Sequence, residues 1–545
     1  MKTIAVILAD LQRSPLGTRS RLCDPLADVP VLRRTVMRTL EVQGVESVHV
    51  LAGPTELARV RDLLSGLPAI VNEADVQEAP HAELVRTARK WALDNWRGGI
   101  ASACSFDESF HAAALQAVTR ATGADAVMAL PAHAALLSAP LASAMLEHLR
   151  GPGKDYRFVF AQSPPGLTPI LLTTAILEEL APAAYPPGVL LAFKPTAAEP
   201  DLVARPCCYQ VPTTVVTAWG RLLADTAESF ALCQILLQEL GEQRAADAME
   251  VCRFLSTHRQ QYVPPLPCEL EVELTTQGSL PATRLRPAGP SVPTRGPLDF
   301  ALLEKVLAQF AHRDDSLVVF GGFGDPLCEP QWPRAVRMAR QAGVFGVSVH
   351  TTGKQLARID PDAMLSDPPD LLVVRIDAVT ETVYREVHGE GGLDEAVQAV
   401  LALEEARRQR KQVRPLVVPT MTKSLLNVTD QEDFFEQWIT RIGSCWIEGY
   451  SDRAGQMERL QVASMAPPAR IPCRRLSSRL VMLADGRAVT CDQDFRAVQV
   501  VGNLGHQTLQ EIWQGDSMQR LREYAPGAGI SPAALCDLCE EWGRP

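Results

Sequence analysis

The stretch CRRLSSRLVMLADGRAVTCDQDF, Cys473 to Phe495, decides how the chain is read. Asp485–Gly486 is a tight-turn dipeptide between two short runs of strand-forming residues, so the piece reads as a hairpin with Cys491 at the end of its far strand. The spacing is C-x12-G-x4-C, and a C-x-x-C, Cys536 and Cys539, follows further on. Thiolates are soft ligands, and four gathered at one place suit a [4Fe–4S] cluster or zinc. Ligand chemistry alone leaves both open, and the plainer reading is four unrelated buried cysteines.

The remaining cysteines carry less. Cys23, Cys104, Cys233, Cys252 and Cys445 lie among apolar residues and read as small core side chains. The Cys207–Cys208 pair has no matching pair elsewhere and reads as structural. An odd total of 13 disfavours a disulfide framework. A chain of 545 residues with 46% hydrophobic and 21% charged side chains is expected to fold as two or three domains. Its net charge of −11 argues against nucleic acid or an anionic membrane as the main partner. The partner expected is a protein or a small molecule of unspecified kind. The basic run Arg407–Lys411 ends a helical pattern and reads as a solvated face. No segment has the apolar length of a membrane span. The opening MKTIAVILADL reads as a buried first strand rather than a signal peptide, which makes the cytoplasm the expected compartment.

Up to about residue 255, apolar runs such as TIAVILA, SVHVLAG, DAVMALPA and YRFVFAQ alternate with helical patterns such as VLRRTVMRTLEVQG and APLASAMLEHLR. That alternation predicts a doubly wound, mostly parallel α/β sheet. A Pro-rich joint, VPPLPCE (Val263–Glu269), marks a boundary. From 264 to 460 the alternation restarts, with about six β/α units, enough for a partial barrel. From 467 to 545 the chain breaks into short turn-rich pieces that need a staple such as a metal.

C-x12-G-x4-C, then Gly502–Asn503, LQEIW (Leu509–Trp513) and a closing CDLC resemble a SPASM domain, the auxiliary cluster module carried by many radical S-adenosylmethionine enzymes. The resemblance implies one auxiliary [4Fe–4S] cluster on Cys473, Cys491, Cys536 and Cys539. The middle segment then resembles a radical SAM (β/α)6 barrel. VVFGGFGDPLCEP resembles the glycine-rich segment that meets the cofactor, which implies roles for Gly322, Gly324, Asp325 and Pro326. Asp325 stands where the family has glutamate. VHTTGKQL resembles the T-N-G segment, with Thr351 and Gly353 kept and Thr352 in place of asparagine. VVRIDAVTETVYREVHG keeps Asp377 but has Arg375 in place of serine.

The stretch EVELTTQGSLPATRLRP, Glu271 to Pro287, aligns with the family's C-x3-C-x2-C loop, yet Gly278, Ala282 and Leu285 occupy the three cysteine positions. Without those thiolates the reductive cleavage of S-adenosylmethionine lacks its electron donor, so the barrel reads as degenerate. Cys268 and Cys328 are the nearest thiols and read as structural, with help in holding a displaced cluster as the alternative.

The N-terminal half resembles nucleotidyltransferases of the sugar-CMP and molybdenum-cofactor dinucleotide kind, with a GT-A-like sheet and a G-T-R loop (Gly17, Thr18, Arg19) whose amides and guanidinium would hold a nucleotide's phosphates. The family's metal-binding aspartate falls on His133, a poor magnesium ligand. The three-part combination resembles the spiro-SPASM proteins. Three functions follow as expectations: an iron–sulfur protein with a scaffold barrel, a radical-SAM-type modifying enzyme with unusual cluster ligation, or a nucleotidyltransferase with an iron–sulfur appendage.

Overall fold

In the computed structural model, residues 1–74, 78–98, 100–151, 156–183, 185–192, 205–311, 313–464, 466–467, 470–523 and 534–543 are described. They form two compact units, Met1–Gln261 and Tyr262–Pro545, with the boundary just ahead of the Pro-rich joint.

The main sheet of the first unit contains β1 (Thr3–Ala9), β2 (Val48–Ala52), β3 (Ala69–Glu73), β4 (Ala126–Pro131), β5 (Phe158–Ala161), β6 (Ile170–Thr173) and β7 (Cys208–Tyr209). Their order is β3-β2-β1-β4-β6-β5-β7, and β6 runs antiparallel to both its neighbours. The run TIAVILA is continuously apolar because β1 is covered on both faces, as parallel central strands are. Ala5 and Ile7 enter one core with Val36 and Met145 of the helices Val31–Leu40 and Ala139–Arg150. Ile4 and Val6 enter the other with Leu115 and Ile176 of the helices Ala112–Thr122 and Thr174–Ala183. This is the doubly wound sheet that the alternation predicts.

In the second unit, six parallel strands follow one another in sequence and in space: β8 (Glu269–Glu273), β9 (Leu317–Gly321), β10 (Gly346–Thr352), β11 (Leu371–Arg375), β12 (Leu416–Lys423) and β13 (Trp446–Gly449). They make the partial (β/α)6 barrel. Alternate residues, Leu270 and Val272, Val318 and Phe320, Val347 and Val349, Leu372 and Val374, pack in one core with the helices. The intervening positions put Glu271, Glu273, His350 and Arg375 on the opposite face, as strand alternation requires.

The C-terminal segment continues this sheet. β14 (Arg479–Met482) lies parallel to β8, pairing Glu269 with Arg479 and Val272 with Met482. β15 (Arg487–Val489) and β16 (Val500–Asn503) then run antiparallel. The turn between β14 and β15 falls at Gly486, whose φ of +83° is the conformation a glycine supplies without steric cost. The helix Leu509–Gln514 buries Trp513 completely in the barrel's core, and its indole N–H donates to Pro264 O at 2.8 Å. The Pro-rich joint and the tail are thus tied through one side chain. Among the described residues no helix is long and apolar enough to cross a membrane.

Trp513→Ala should destabilise the second unit by about 3–5 kcal/mol through cavity formation and loss of the Pro264 bond. The shift in a denaturant midpoint checks it.

Candidate metal centre and barrel mouth

The four tail cysteines come from three separate elements. Cys473 lies just ahead of the short helix Arg475–Ser478, and Leu476 N donates to its carbonyl at 3.3 Å. Cys491 follows β15, with the Thr490 hydroxyl donating toward its Sγ at 3.9 Å. Cys536 is on the helix Ala534–Leu538, and Cys539 folds back so that its N–H donates to Cys536 O at 3.3 Å. The Glu541 N–H donates to Cys539 Sγ at 3.3 Å, the kind of contact that stabilises a thiolate.

Cys473 lies near enough to each of the other three thiols to be felt by it. Cys473 raises the pKa of Cys491, Cys536 and Cys539 alike. Burial is the larger cause, lifting Cys536 to about 12, Cys539 to about 11 and Cys491 well above its ordinary value. Half-buried thiols with so high a cost of ionisation fit a cationic centre that would offset the charge. Among the described residues no three His, Cys, Asp or Glu side chains stand at ligating separation. Beside them Arg475 feels the fields of Cys491 and Cys473 and bonds Asp492. Burial would raise the Asp492 carboxyl, but Arg475 and Arg453 hold it well below the usual carboxylate range.

At the barrel mouth the loop after β8 carries no thiol at the three positions expected for cluster ligands. Leu285, at the third cysteine position, is buried with Val387, Tyr450 and Leu460. Ala282 lies so close under Gly389 that a Cβ there would meet it at 2.8 Å. Gly278 faces open space. Hydrogen bonds fix the loop: Ser279 to the Thr352 hydroxyl at 2.8 Å, Thr283 to His388 Nδ1 at 3.0 Å, and Arg284 N to Val387 O at 2.9 Å. Cys268 precedes β8 and Cys328 follows β9, so these two thiols lie at opposite ends of adjacent parallel strands.

The glycine-rich segment is similarly committed to its own chain. Asp325 is fully buried and accepts from Thr351 Oγ1 (2.8 Å), Thr352 N (2.9 Å), Thr352 Oγ1 (3.0 Å) and Leu327 N (3.1 Å), clipping two loops together. Pro326 opens the short turn Pro326–Cys328. A Cβ on Gly324 would meet Thr275 O at 2.1 Å, and one on Gly353 would meet Ala396 Cβ at 2.5 Å, so both glycines permit close packing. Gly322 leaves room for Glu273 in the same way. Asp377 has a φ of 63°, accepts from Thr422 N at 2.7 Å and lies 3.5 Å from Arg286 Nη1.

Sequence reasoning missed Glu273 and Arg295. They form a buried two-pronged ion pair with contacts of 2.6 and 2.8 Å. The same carboxylate accepts from Phe323 N (3.3 Å) and Ala484 N (3.2 Å), while Arg295 donates to Phe495 O (3.3 Å). One pair therefore joins β8, the glycine-rich loop and the tail hairpin. Alternation on β8, with acids at 269, 271 and 273, was the signal available.

In the first unit, a cavity of about 440 Å³ opens at the carboxyl ends of β1 and β2, lined by residues including Asp10, Arg13, Ser14, Glu56, Glu108 and His133. Both nitrogens of the buried His133 lack a partner among the described residues. Burial first, then Arg221 and Arg21, lower its pKa to about 3, so it is neutral. Arg19 is paired with Asp24, and Gly17 (φ +81°) packs over the Arg86 side chain; neither lines the cavity.

Residues 473–540 match the SPASM family, an iron-sulfur cluster-binding domain. An uncharacterized protein of Treponema pallidum (strain Nichols) is 24% identical over 253 residues, 44% of this chain and 68% of that protein. The S-adenosyl-L-methionine-dependent 2-deoxy-scyllo-inosamine dehydrogenase of Niallia circulans is 28% identical over 89 residues, 16% of this chain and 34% of the dehydrogenase. Among solved structures, Streptococcus suis SuiB bound to the precursor peptide SuiA aligns at TM-score 0.41 and 11% identity, over 54% of this chain and 76% of its own. A cytidylyltransferase from Leptospira borgpetersenii aligns at TM-score 0.32 and 12% identity, over 47% of this chain and 95% of its own.

Two measurements check the electrostatics of the mouth. Arg295→Met leaves the Glu273 carboxylate buried without its counter-charge and should cost about 3–5 kcal/mol in a denaturant titration. Burial first, then Asp492, raise the Glu271 carboxyl to about 7 from 4.5. The folded state then holds this proton more tightly than the unfolded state, so stability falls as pH rises from 4.5 to 7. Glu271→Gln should flatten that slope in thermal melts recorded across the window.

Proposed function

We propose that this chain, a protein of the radical SAM/SPASM type, holds one auxiliary [4Fe–4S] cluster on Cys473, Cys491, Cys536 and Cys539 and uses its barrel as a binding scaffold. The observation that carries the reading is the pairing of four tail thiols, three of which feel Cys473, with a mouth whose three ligand positions are Gly278, an exposed Ala282 and a core Leu285. A [4Fe–4S] centre supplies one-electron transfer when bound. The chain's own residues set its surroundings: Arg475 balances thiolate charge, the Glu541 N–H donates to Cys539, and Trp513 anchors the module in the barrel core. The reading places the protein in the cytoplasm, and a protein or small-molecule partner, rather than nucleic acid or membrane, agrees with the net charge of −11.

A second reading is favoured by the match to an S-adenosyl-L-methionine-dependent dehydrogenase: a modifying enzyme with an unusually held catalytic cluster. Nucleotide binding in the first unit is the reading its cavity supports, without transfer, because His133 offers a neutral imidazole where magnesium chemistry needs a carboxylate.

Iron and sulfide counting on anaerobically reconstituted protein separates these. One [4Fe–4S] per chain is expected, and Cys491→Ser or Cys536→Ser should remove most of its visible absorbance. Two clusters, or 5′-deoxyadenosine formed on reduction with S-adenosylmethionine, would establish the enzyme instead; zinc alone would end the cluster assignment. Incubation with CTP and magnesium should release no pyrophosphate.

A further inference from the structure

The residue directly after the third lost cysteine position is Arg286, and it turns inward. Its side chain is 15% exposed, and its guanidinium interacts with Asp377, Asp325 and Glu448, groups carried at the ends of β9, β11 and β13. Only one of these contacts is close, the 3.5 Å approach of Nη1 to Asp377 Oδ2, and Nη2 is buried without a partner among the described residues. The second cation is Arg375, the last residue of β11, on the face away from the helices. Among the described residues its guanidinium forms no hydrogen bond or ion pair.

The two arginines repel one another: burial and then Arg375 lower the Arg286 pKa. Arg375 is also felt by the neutral imidazole of His350 on β10. The acids nearby are largely occupied. Asp325 takes its four donors from Thr351, Thr352 and Leu327, Asp377 accepts from Thr422 N, and Glu448 accepts from the Thr422 hydroxyl at 3.1 Å. Arg479 is paired with Glu269 at 3.2 Å. What is left over is donor capacity: two planar guanidinium groups with free N–H groups and like charge, held at the carboxyl ends of parallel strands. Arginine pairs of this kind match the two-pronged geometry of a carboxylate or a phosphate.

We propose that Arg286 and Arg375 form an oxyanion-binding site in the barrel mouth, which takes a small molecule bearing a carboxylate or phosphate group. The site deepens the scaffold reading by naming what the barrel binds, and it rests on that reading.

The test is isothermal titration calorimetry on the full-length, cluster-loaded protein at constant ionic strength in chloride, with inorganic phosphate and with succinate as probes. Saturable one-site binding of at least one probe is expected, and which probe binds assigns the ligand to the phosphate or the carboxylate class. Arg375→Ser should weaken that binding tenfold or more. Arg286→Met should do the same, whereas Arg385→Ser, on an exposed helix face, should leave it unchanged. Arg286→Met also removes the Asp377 pairing and so puts folding at risk; Arg375→Ser breaks no bond and carries the test alone. Absence of saturable binding by either probe, or equal affinity in Arg375→Ser, overturns the site. The iron and sulfide count on the same samples keeps the two failures apart: a second cluster per chain removes the scaffold reading, while one cluster without anion binding removes only this site.

Discussion

The buried fork between Glu273 and Arg295 is the constraint on which the second unit depends. A charge pair taken wholly out of water is favourable only when nearly every lone pair and proton is met. Here the carboxylate also receives amides from the glycine-rich loop and the tail hairpin, and the guanidinium reaches the Phe495 carbonyl. Three segments remote in sequence must therefore arrive together. The pair specifies geometry more than it adds stability, and it fixes the β8 end of the barrel mouth where a cluster would otherwise organise the loop.

Packing and hydrogen bonds, with no thiol at the expected ligand positions, hold the whole mouth. A cluster loop is rigid because its thiolates converge on iron. This loop is rigid because Leu285 is in a small core, Thr283 and Ser279 are hydrogen-bonded, and its backbone passes tightly against Gly324 and Gly389. Gly324, Gly353 and Gly322, which resemble a cofactor-binding pattern in sequence, serve here as clearances for neighbouring chain. A motif's survival and the survival of its chemistry are separate matters, since the same absence of a Cβ serves both.

The strands and helices were legible because burial on one or two faces writes itself into period: TIAVILA reads as doubly covered, and ELEVE reads as half-covered with acids on one side. The tail's cysteines were legible because four thiols at fixed spacing, two of them in a C-x-x-C, are rare by chance. Arg286 was not, since the direction of a loop side chain is set by turns and by partners from β9, β11 and β13. Glu273 was missed: strand alternation groups it with Glu269 and Glu271, but its partner 22 positions on and its contacts near 484 and 495 are tertiary facts. The tail read as a short turn-rich piece, yet Leu480, Met482, Ile512 and Trp513 share one core with Leu270 and Val272.

The parallel pairing of β14 with β8 has a consequence for synthesis on the ribosome. The first barrel strand emerges with one edge open, and the strand that covers it is made only after the five other barrel strands. Through most of translation that edge presents free amides and carbonyls to other chains. The acids at Glu269 and Glu271 repel like-charged copies of the same strand, so side chains that face away from the helices in the finished fold also guard the nascent chain against adhesion.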